Sequence, residues 1–320
     1  MKNFLFFISL SMVIILSSLA SAQTISIGTN QQGSLFFSIG TAISKVMVEK
    51  TGKQFRVAPY AGSSTYIPLI NNGELSFGLS NGGEAAFAYS GTEIFDKKPN
   101  KNLRMVSVTV NTASGFAVPT NSEAKTVADL KGMKISSEYT SGRTFHYYSE
   151  ALLYTAGLSH EDFKLVPTPN FVTAINNFAQ GRVDAAIIPF NVGEGKKAMA
   201  TMRGGWRYVT VEAAGERANV NKIFPSSRLE KYRPGKNATG VIADPTVMLE
   251  LDFFLNCGAH VSDEIVYELV KTMYNNKPDL EKAFGAFVRF EPDGMARKNP
   301  VPYHPGAIKF YKEVGTWPPK

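Results

Sequence analysis

The residues of this chain that could do chemistry are hydroxyls, amides and one arginine, placed where predicted strands pass into predicted helices. One such turn carries Ser141, Arg143 and Thr144 at the start of a helix. Backbone N–H groups at a helix start lack intrahelical partners and therefore favour an anion. An arginine beside them could clamp a carboxylate through two parallel hydrogen bonds. The alternative is an exposed arginine, or one paired with Glu138 or Glu150.

Similar polar residues follow other predicted strands. Ser34 precedes a helix after a strand at 25–28, and Asn81 follows a strand at 75–80. Each could be a plain helix cap or turn former. Their repetition at equivalent strand ends favours a common ligand site with aromatic walls, although the aromatic side chains could equally belong to the core. The side chains predicted to line this site are Asn30, Gln32, Ser34, Leu35, Phe36, Ser63, Asn81, Tyr139, Ser141, Arg143, Thr144, Phe190 and Asn191.

Strand, polar turn and helix alternate along the first ninety residues. Strands at 25–28, 55–59 and 75–80 are each followed by a helical pattern of apolar residues. This alternation predicts parallel strands joined by crossover helices, an α/β fold whose ligands bind at the carboxyl ends of the strands. The same plan is repeated between residues 127 and 211.

Two domains are predicted from the way these units are connected. Strands are expected at 105–110 and 115–119, and residues 111–114 between them should cross into the second domain. A stretch rich in proline and glycine at 234–245 should return to the first, and the two lobes should then close on a solute about these crossings. The predicted lobes are 23–113 with 246–320, and 114–245.

The N-terminus predicts an exported protein. Residues 1–22 contain Lys2, an apolar run and a small-x-small end, which is typical of a cleavable export leader. No cysteine follows the leader to accept a lipid anchor, and no later run has the roughly 18 apolar residues of a membrane span. The mature chain is therefore expected to be soluble in the periplasm.

Charge and cysteine content exclude several classes of protein. The net charge of +7 is spread along the chain without a basic block, so nucleic acid is not an expected partner. The single cysteine, Cys257, cannot form an intramolecular disulfide and is expected to be a small buried hydrophobic residue.

The motifs of common enzymes are absent from the sequence. The four histidines lack metal-ligand spacing, and neither a Gly-x-Ser-x-Gly elbow nor a phosphate-binding Gly-Lys-Ser/Thr loop occurs. We therefore predict no metal, no cofactor and no catalysis. An alternative is an exported enzyme that uses His146, which lies three residues after Arg143 and could share its helix face.

Several segments together carry a resemblance to a known family. The chain resembles the TAXI class of solute receptors, the extracytoplasmic subunits of TRAP transporters. The opening turn and the C-terminal segment are the most specific of these motifs. The segments that carry the resemblance are 28–37, 62–63, 75–81, 130–136, 140–144, 181–185 and 302–311.

The resemblance implies a two-lobed fold of the periplasmic-binding-protein kind, in which each lobe is a mostly parallel sheet flanked by helices and a hinge joins the lobes. It implies a monomeric receptor for a small mono- or dicarboxylate, such as a glutamate-like acid, which it delivers to a TRAP permease in the membrane. The chain departs from the family where Asn30, Gln31 and Gln32 replace several glycines, and where Ser80, Asn81 and Gly82 stand in place of Gln-Ser-Asp. A receptor that presents its solute to a sensor kinase is a further alternative.

Overall fold

Parallel strand–helix units build the first part of the chain. The structure is a computed structural model that describes residues 24–236 and 238–319, so the predicted leader at 1–22 lies outside the described residues. Strand β1 pairs in parallel with β2 on one side and with β3 on the other, as the alternating pattern predicts. These elements are β1 (Ile25–Thr29), α1 (Leu35–Thr51), β2 (Phe55–Pro59), α2 (Ser63–Asn71), β3 (Phe77–Asn81) and α3 (Gly82–Ser90).

Two long antiparallel strands connect this part of the sheet to the next. Strand β4 (Leu103–Pro119) runs beside the strand Thr246–Gly258, here named β10 because it is the tenth along the chain. The prediction of two separate strands at 105–110 and 115–119 is wrong. Residues 111–114 stay in the sheet because β10 supplies their partners, from Asp252 opposite Asn111 to Leu249 opposite Ser114.

The middle of the chain repeats the strand–helix plan. Its elements are β5 (Lys134–Glu138), α4 (Thr144–Thr155), β6 (Lys164–Thr168), α5 (Phe171–Ala179), β7 (Ala186–Pro189), α6 (Gly193–Thr201), β8 (Trp206–Tyr208) and β9 (Ser227–Tyr232). Strands β5 and β6 form a parallel pair, which a bridge from Ile135 to Ala185 joins to the segment before β7. The main sheet has the order β2-β1-β3-β10-β4-β7, with β8 also paired to β4 and β9 to β10.

The C-terminal helices cover the first part of the sheet. They are α7 (Asp263–Asn275), α8 (Lys277–Ala283) and α9 (Pro305–Glu313). Helices α7 and α8 pack against α1, and Pro278 lies in the first turn of α8, where its missing N–H is not needed.

The buried apolar residues form two clusters. The larger contains β1, β3 and α1, and it includes Cys257, which is a buried free cysteine as predicted. The smaller contains Phe178, Trp206 and Met248 and lies around the ends of β4 and β10 that meet β7, β8 and β9. The larger cluster also includes Leu130, Ile135 and Leu152 from the middle of the chain, so it extends into both predicted lobes.

Candidate binding site

A cavity of about 130 Å³ lies between the carboxyl ends of β1, β2 and β3 and the starts of α4, α5 and α6. It collects turns that are far apart in the sequence, because strand ends of parallel units meet at one edge of a sheet. Eight of the thirteen predicted side chains line it: Asn30, Gln32, Ser34, Leu35, Phe36, Ser63, Asn81 and Thr144.

Six helices begin at this cavity. The first turns or caps of α1 to α6 all contribute lining residues. Ser34 caps α1 by accepting a hydrogen bond from the N–H of Phe37 at 3.1 Å, and Asn170 caps α5 through the N–H of Thr173 at 3.0 Å. The remaining N–H groups of these first turns and the helix dipoles create a region of positive potential, which favours a bound anion.

Local sequence explains why the helices start here. Ser34, Asn81 and Asn170 have extended backbone and short polar side chains, the residue types that best satisfy the free N–H groups of a helix start. Gly33 precedes the first cap with φ of 89°, a left-handed conformation that glycine adopts without strain.

The cavity contains a buried carboxyl group that the sequence did not indicate as a site residue. Glu84 is 1% exposed, and one of its oxygens accepts a short hydrogen bond from the Ser63 hydroxyl. Its other oxygen, Oε1, is buried without a hydrogen-bond partner among the described residues. Burial raises the pKa of Glu84 to about 7, against the smaller opposing effects of the Ser63 and Thr144 hydroxyls.

Glu84 was overlooked because its position has an ordinary structural explanation. It is the third residue after the N-cap Asn81, where an acidic residue usually reaches back to the cap. In the structure the Asn81 side chain accepts from the N–H of Glu84 at 2.8 Å, whereas the carboxyl group turns to Ser63 on the neighbouring helix α2. The signal that could have found it is a glutamate in the first turn of a helix that directly follows a strand end made of small polar residues.

Arg143 does not line the cavity. It occupies the cap position of α4, its side chain is exposed, and within the described part of the chain it forms no ion pair with Glu138 or Glu150. Its positive charge instead lowers the pKa of the nearby Tyr147, whose pKa burial raises overall. Among the described lining residues the charged side chains are Glu84 and Glu194, and none is a lysine or an arginine.

Two further predicted residues belong to the turn after β5 but not to the lining. Ser141 is exposed, and its carbonyl oxygen faces Gly62 at the start of α2. Tyr139 is buried in a left-handed conformation with φ of 47°, and its ring lies 5.7 Å from that of Phe145, which does line the cavity. Tyr139 thus supports a wall of the cavity from behind.

Phe190 and Asn191 line a wider neighbouring depression of about 1320 Å³. The depression shares Leu35 and Thr112 with the first cavity. The guanidinium group of Arg289 lies 5.2 Å from the ring centre of Phe190. The predicted side chains are therefore divided between two adjoining spaces.

Over residues 24–319, with Asn237 set aside, no three His, Cys, Asp or Glu side chains are arranged to hold a metal ion. In that same stretch, no helix combines the length and the apolar character needed to cross a membrane.

Comparison with known proteins identifies the family and the fold. The chain belongs to the NMT1-like family, which it matches over residues 27–315. Its fold is the α/β fold of periplasmic binding proteins, as predicted from the resemblance, and several solved structures share it.

Three of these structures cover nearly the whole chain. PhnD1 from Prochlorococcus marinus, in complex with methylphosphonate, has a TM-score of 0.58 at 11% identity and covers 92% of this chain and 99% of its own. The periplasmic aliphatic sulphonate-binding protein SsuA from Escherichia coli has a TM-score of 0.51 at 17% identity, with 93% and 94% covered. The alkanesulfonate-binding protein SsuA from Xanthomonas axonopodis pv. citri, bound to MOPS, has a TM-score of 0.51 at 15% identity, with 91% and 90% covered.

Proposed function

We propose that this protein is an exported solute-binding protein that captures a small organic acid in the cavity and delivers it to a permease in the membrane. The observation that carries the proposal is the convergence of six helix starts on one cavity of about 130 Å³. Uncharged N–H and hydroxyl donors at helix starts bind an anion without requiring a cation. The fold and the predicted leader, which would place the protein in the periplasm, agree with this function.

The acid group is best accommodated by the helix starts themselves. Ser34, Ser63 and Thr144 are buried hydroxyls that belong to three different helices and line the same space. Two anchors are compared for the acid: the Ser34 hydroxyl with the free N–H groups of these helix starts, since the Ser63 hydroxyl already donates to Glu84, or the predicted clamp by Arg143. Arg143→Ala distinguishes them, because a charge-assisted bidentate pair should cost at least a hundredfold in affinity, whereas a change within threefold assigns the anchor to the helix starts.

Closure of two lobes completes the proposed mechanism. We propose that 23–113 with 246–320 forms one lobe and that 114–245 forms the other. Strands β4 and β10 pair along both proposed lobes, so bending of this pair near residues 111–114 and 249–252 would move one lobe against the other. The solute would first contact the helix starts of one lobe and then be enclosed by those of the other.

The resemblance to TAXI receptors favours a carboxylate, glutamate-like acids included, and a TRAP permease as the partner of a monomeric receptor. The solved structures favour a second candidate, because their bound or named ligands are sulphonates and a phosphonate. That candidate is a receptor for such an anion that serves an ABC-type importer. Both kinds of anion suit helix N-termini, so the ligand has to be identified directly.

Catalysis and signalling are weaker alternatives. His146 lies outside the lining of the cavity, and its ring stacks on that of His160 with centres 4.6 Å apart. A histidine held in this way is not placed to act on a solute in the cavity. Presentation of the solute to a sensor kinase would use the same site, and neighbouring permease genes would argue against it.

The proposal is tested with the purified mature protein. Mass spectrometry of the small molecules released on denaturation should identify an organic acid. After refolding without ligand, the thermal shift should be measured with carboxylates, sulphonates and phosphonates of matched carbon number. At a concentration of about 100 times the dissociation constant, one class should raise the free energy of unfolding of the protein by about 2.7 kcal/mol. Absence of a shift with every acid would overturn the proposal.

A further inference from the structure

We infer that Glu84 determines the specificity of the cavity by accepting a hydrogen bond from an N–H or O–H group that the solute carries beside its acid group. This inference rests on the proposed function, since it assumes that the cavity binds an organic acid. It assigns to Glu84 a contact with the solute that the backbone N–H groups of the helix starts, which are donors, cannot make.

The first support is the unsatisfied oxygen. Oε1 of Glu84 and Oδ1 of Asn30 are both buried acceptors without partners among the described residues, and both residues line the cavity. A buried acceptor left unpaired costs about 1–3 kcal/mol, and more when it is charged. A donor on the bound solute would remove this cost, whereas an acceptor in the same place would increase it.

The second support is the charge of the side chains that surround Glu84 in the cavity. Tyr66 of α2 donates its hydroxyl to the carbonyl of Leu79, so it is already committed. Tyr148 of α4 and Glu194 of α6 also line or adjoin this space, and neither carries a positive charge. The carboxylate thus has no cation among the described lining residues, and a positive or strongly polarised donor must come from the solute.

Protonation of Glu84 should invert this preference. The ionised carboxylate accepts a hydrogen bond from an amine or a hydroxyl group, whereas the protonated carboxyl group donates one to a carbonyl oxygen. Because burial holds the pKa of Glu84 at about 7, both forms are present near neutral pH. A solute with a donor should therefore bind more tightly as pH rises through 7 and displace the proton, and a solute with a carbonyl should bind more tightly as pH falls.

The experiment uses matched 2-amino, 2-hydroxy and 2-oxo acids of three to six carbons, titrated calorimetrically at pH 5.5 and pH 8.5. For the wild-type protein we expect an amino or hydroxy acid to bind at least tenfold more tightly at pH 8.5 than at pH 5.5, and its 2-oxo analogue to show the opposite trend. Comparison of the amino and hydroxy acids shows whether nitrogen or oxygen supplies the donor. Glu84→Gln should bind with little dependence on pH, because the amide does not titrate.

Controls separate the possible failures. Glu264→Gln changes a first-turn glutamate of α7 that does not line the cavity, and it should retain the wild-type pH dependence. If Glu84→Gln does not fold, the wild-type protein can be titrated at pH 7 in buffers of different ionisation enthalpy, which measures the number of protons released on binding. An acid that carries a donor should release about half a proton. Equal binding of the oxo and amino acids at pH 8.5, or an unchanged pH trend in Glu84→Gln, overturns the role of Glu84. Failure of these carboxylic acids to bind at either pH overturns this role of Glu84, whereas absence of a thermal shift with sulphonates and phosphonates as well overturns the proposed function itself.

Discussion

Glu84 and Arg143 show how burial and charge are arranged at the scale of single residues. The acidic residue lies in the cavity at 1% exposure, whereas the basic residue expected to anchor the solute is exposed at the start of α4. A carboxyl group that loses water without gaining a cation keeps its proton to higher pH. The stability of the free protein should therefore depend on the charge of Glu84.

Replacement of Glu84 by glutamine should stabilise the protein in alkaline solution. The pKa of Glu84 is about 7 in the folded protein and near its ordinary 4.5 when unfolded, so folding favours the protonated form. Its contribution to stability is complete below pH 4.5 and is lost as pH rises to 7, by up to about 3 kcal/mol. In urea denaturation, Glu84→Gln should increase the free energy of unfolding at pH 8 by about 1–3 kcal/mol and change it little at pH 4.5.

The same measurement on Glu264→Gln is the control, since that carboxylate is exposed on α7. A loss of stability in Glu84→Gln at pH 8 would mean that Ser63 and Thr144 fully satisfy the ionised carboxylate in the folded protein.

At the scale of elements, the helix starts have two functions that can be separated. Ser34 caps α1 beside the cavity, and Ser262 caps α7 by accepting from the N–H of Ile265 at 3.4 Å, away from the cavity. The two caps have the same side chain and the same bonding pattern. Only the first is placed to bind a solute as well.

Ser34→Ala and Ser262→Ala should therefore have similar effects on stability and different effects on binding. Each should lower the free energy of unfolding by about 1 kcal/mol through loss of a cap. Ser34→Ala should also weaken solute binding about 2- to 10-fold, the cost of one hydrogen bond, while Ser262→Ala leaves the affinity unchanged. Thermal denaturation and calorimetric titration measure the two effects, and equal affinities for both variants would show that Ser34 is only a cap.

The whole molecule brings two sets of helix starts into contact across the cavity. Gly62 begins α2, and the carbonyl oxygen of Ser141 before α4 lies against it. This contact belongs to the conformation described here, in which residues from both proposed lobes line one cavity. A substitution at Gly62 tests this contact, and a scattering measurement tests the closure of the lobes.

Gly62→Ala should hinder this close approach. An added Cβ would lie 2.8 Å from the Ser141 carbonyl oxygen, which is shorter than van der Waals contact. The backbone of Gly62 is extended, with φ of −177°, so alanine introduces no conformational strain. We expect about tenfold weaker binding with at most a small loss of stability, and no change for Gly285→Ala, where an added Cβ meets nothing within 4 Å. Wild-type affinity in Gly62→Ala would show that the approach is not needed for binding.

Closure itself should be visible by small-angle scattering. If the β4–β10 pair bends as proposed, the ligand-free protein samples more open arrangements and its radius of gyration falls when the solute is added. Identical scattering profiles with and without saturating solute would indicate a preformed cavity and reject the hinge.

The local features of this protein follow from its amino-acid sequence. Alternation of strand and helix patterns predicted the parallel β1, β2 and β3 units, and the capping residues Ser34 and Asn81 marked helix starts correctly. These signals are reliable because capping and amphipathic periodicity act between residues only a few positions apart.

The continuity of β4 and the charge of the cavity depend on how distant parts of the chain pack together. In the sequence, residues 111–114 are expected to separate two strands. They remain in the sheet because β10, more than a hundred residues later, pairs with them. In the sequence, Glu84 has the position of a capping residue. Its carboxyl group is buried in the structure because Ser63 and Thr144 on other helices surround it, whereas Arg143 lies outside the cavity. Burial and hydrogen bonding between distant segments depend on how the elements pack, and no local pattern specifies that packing.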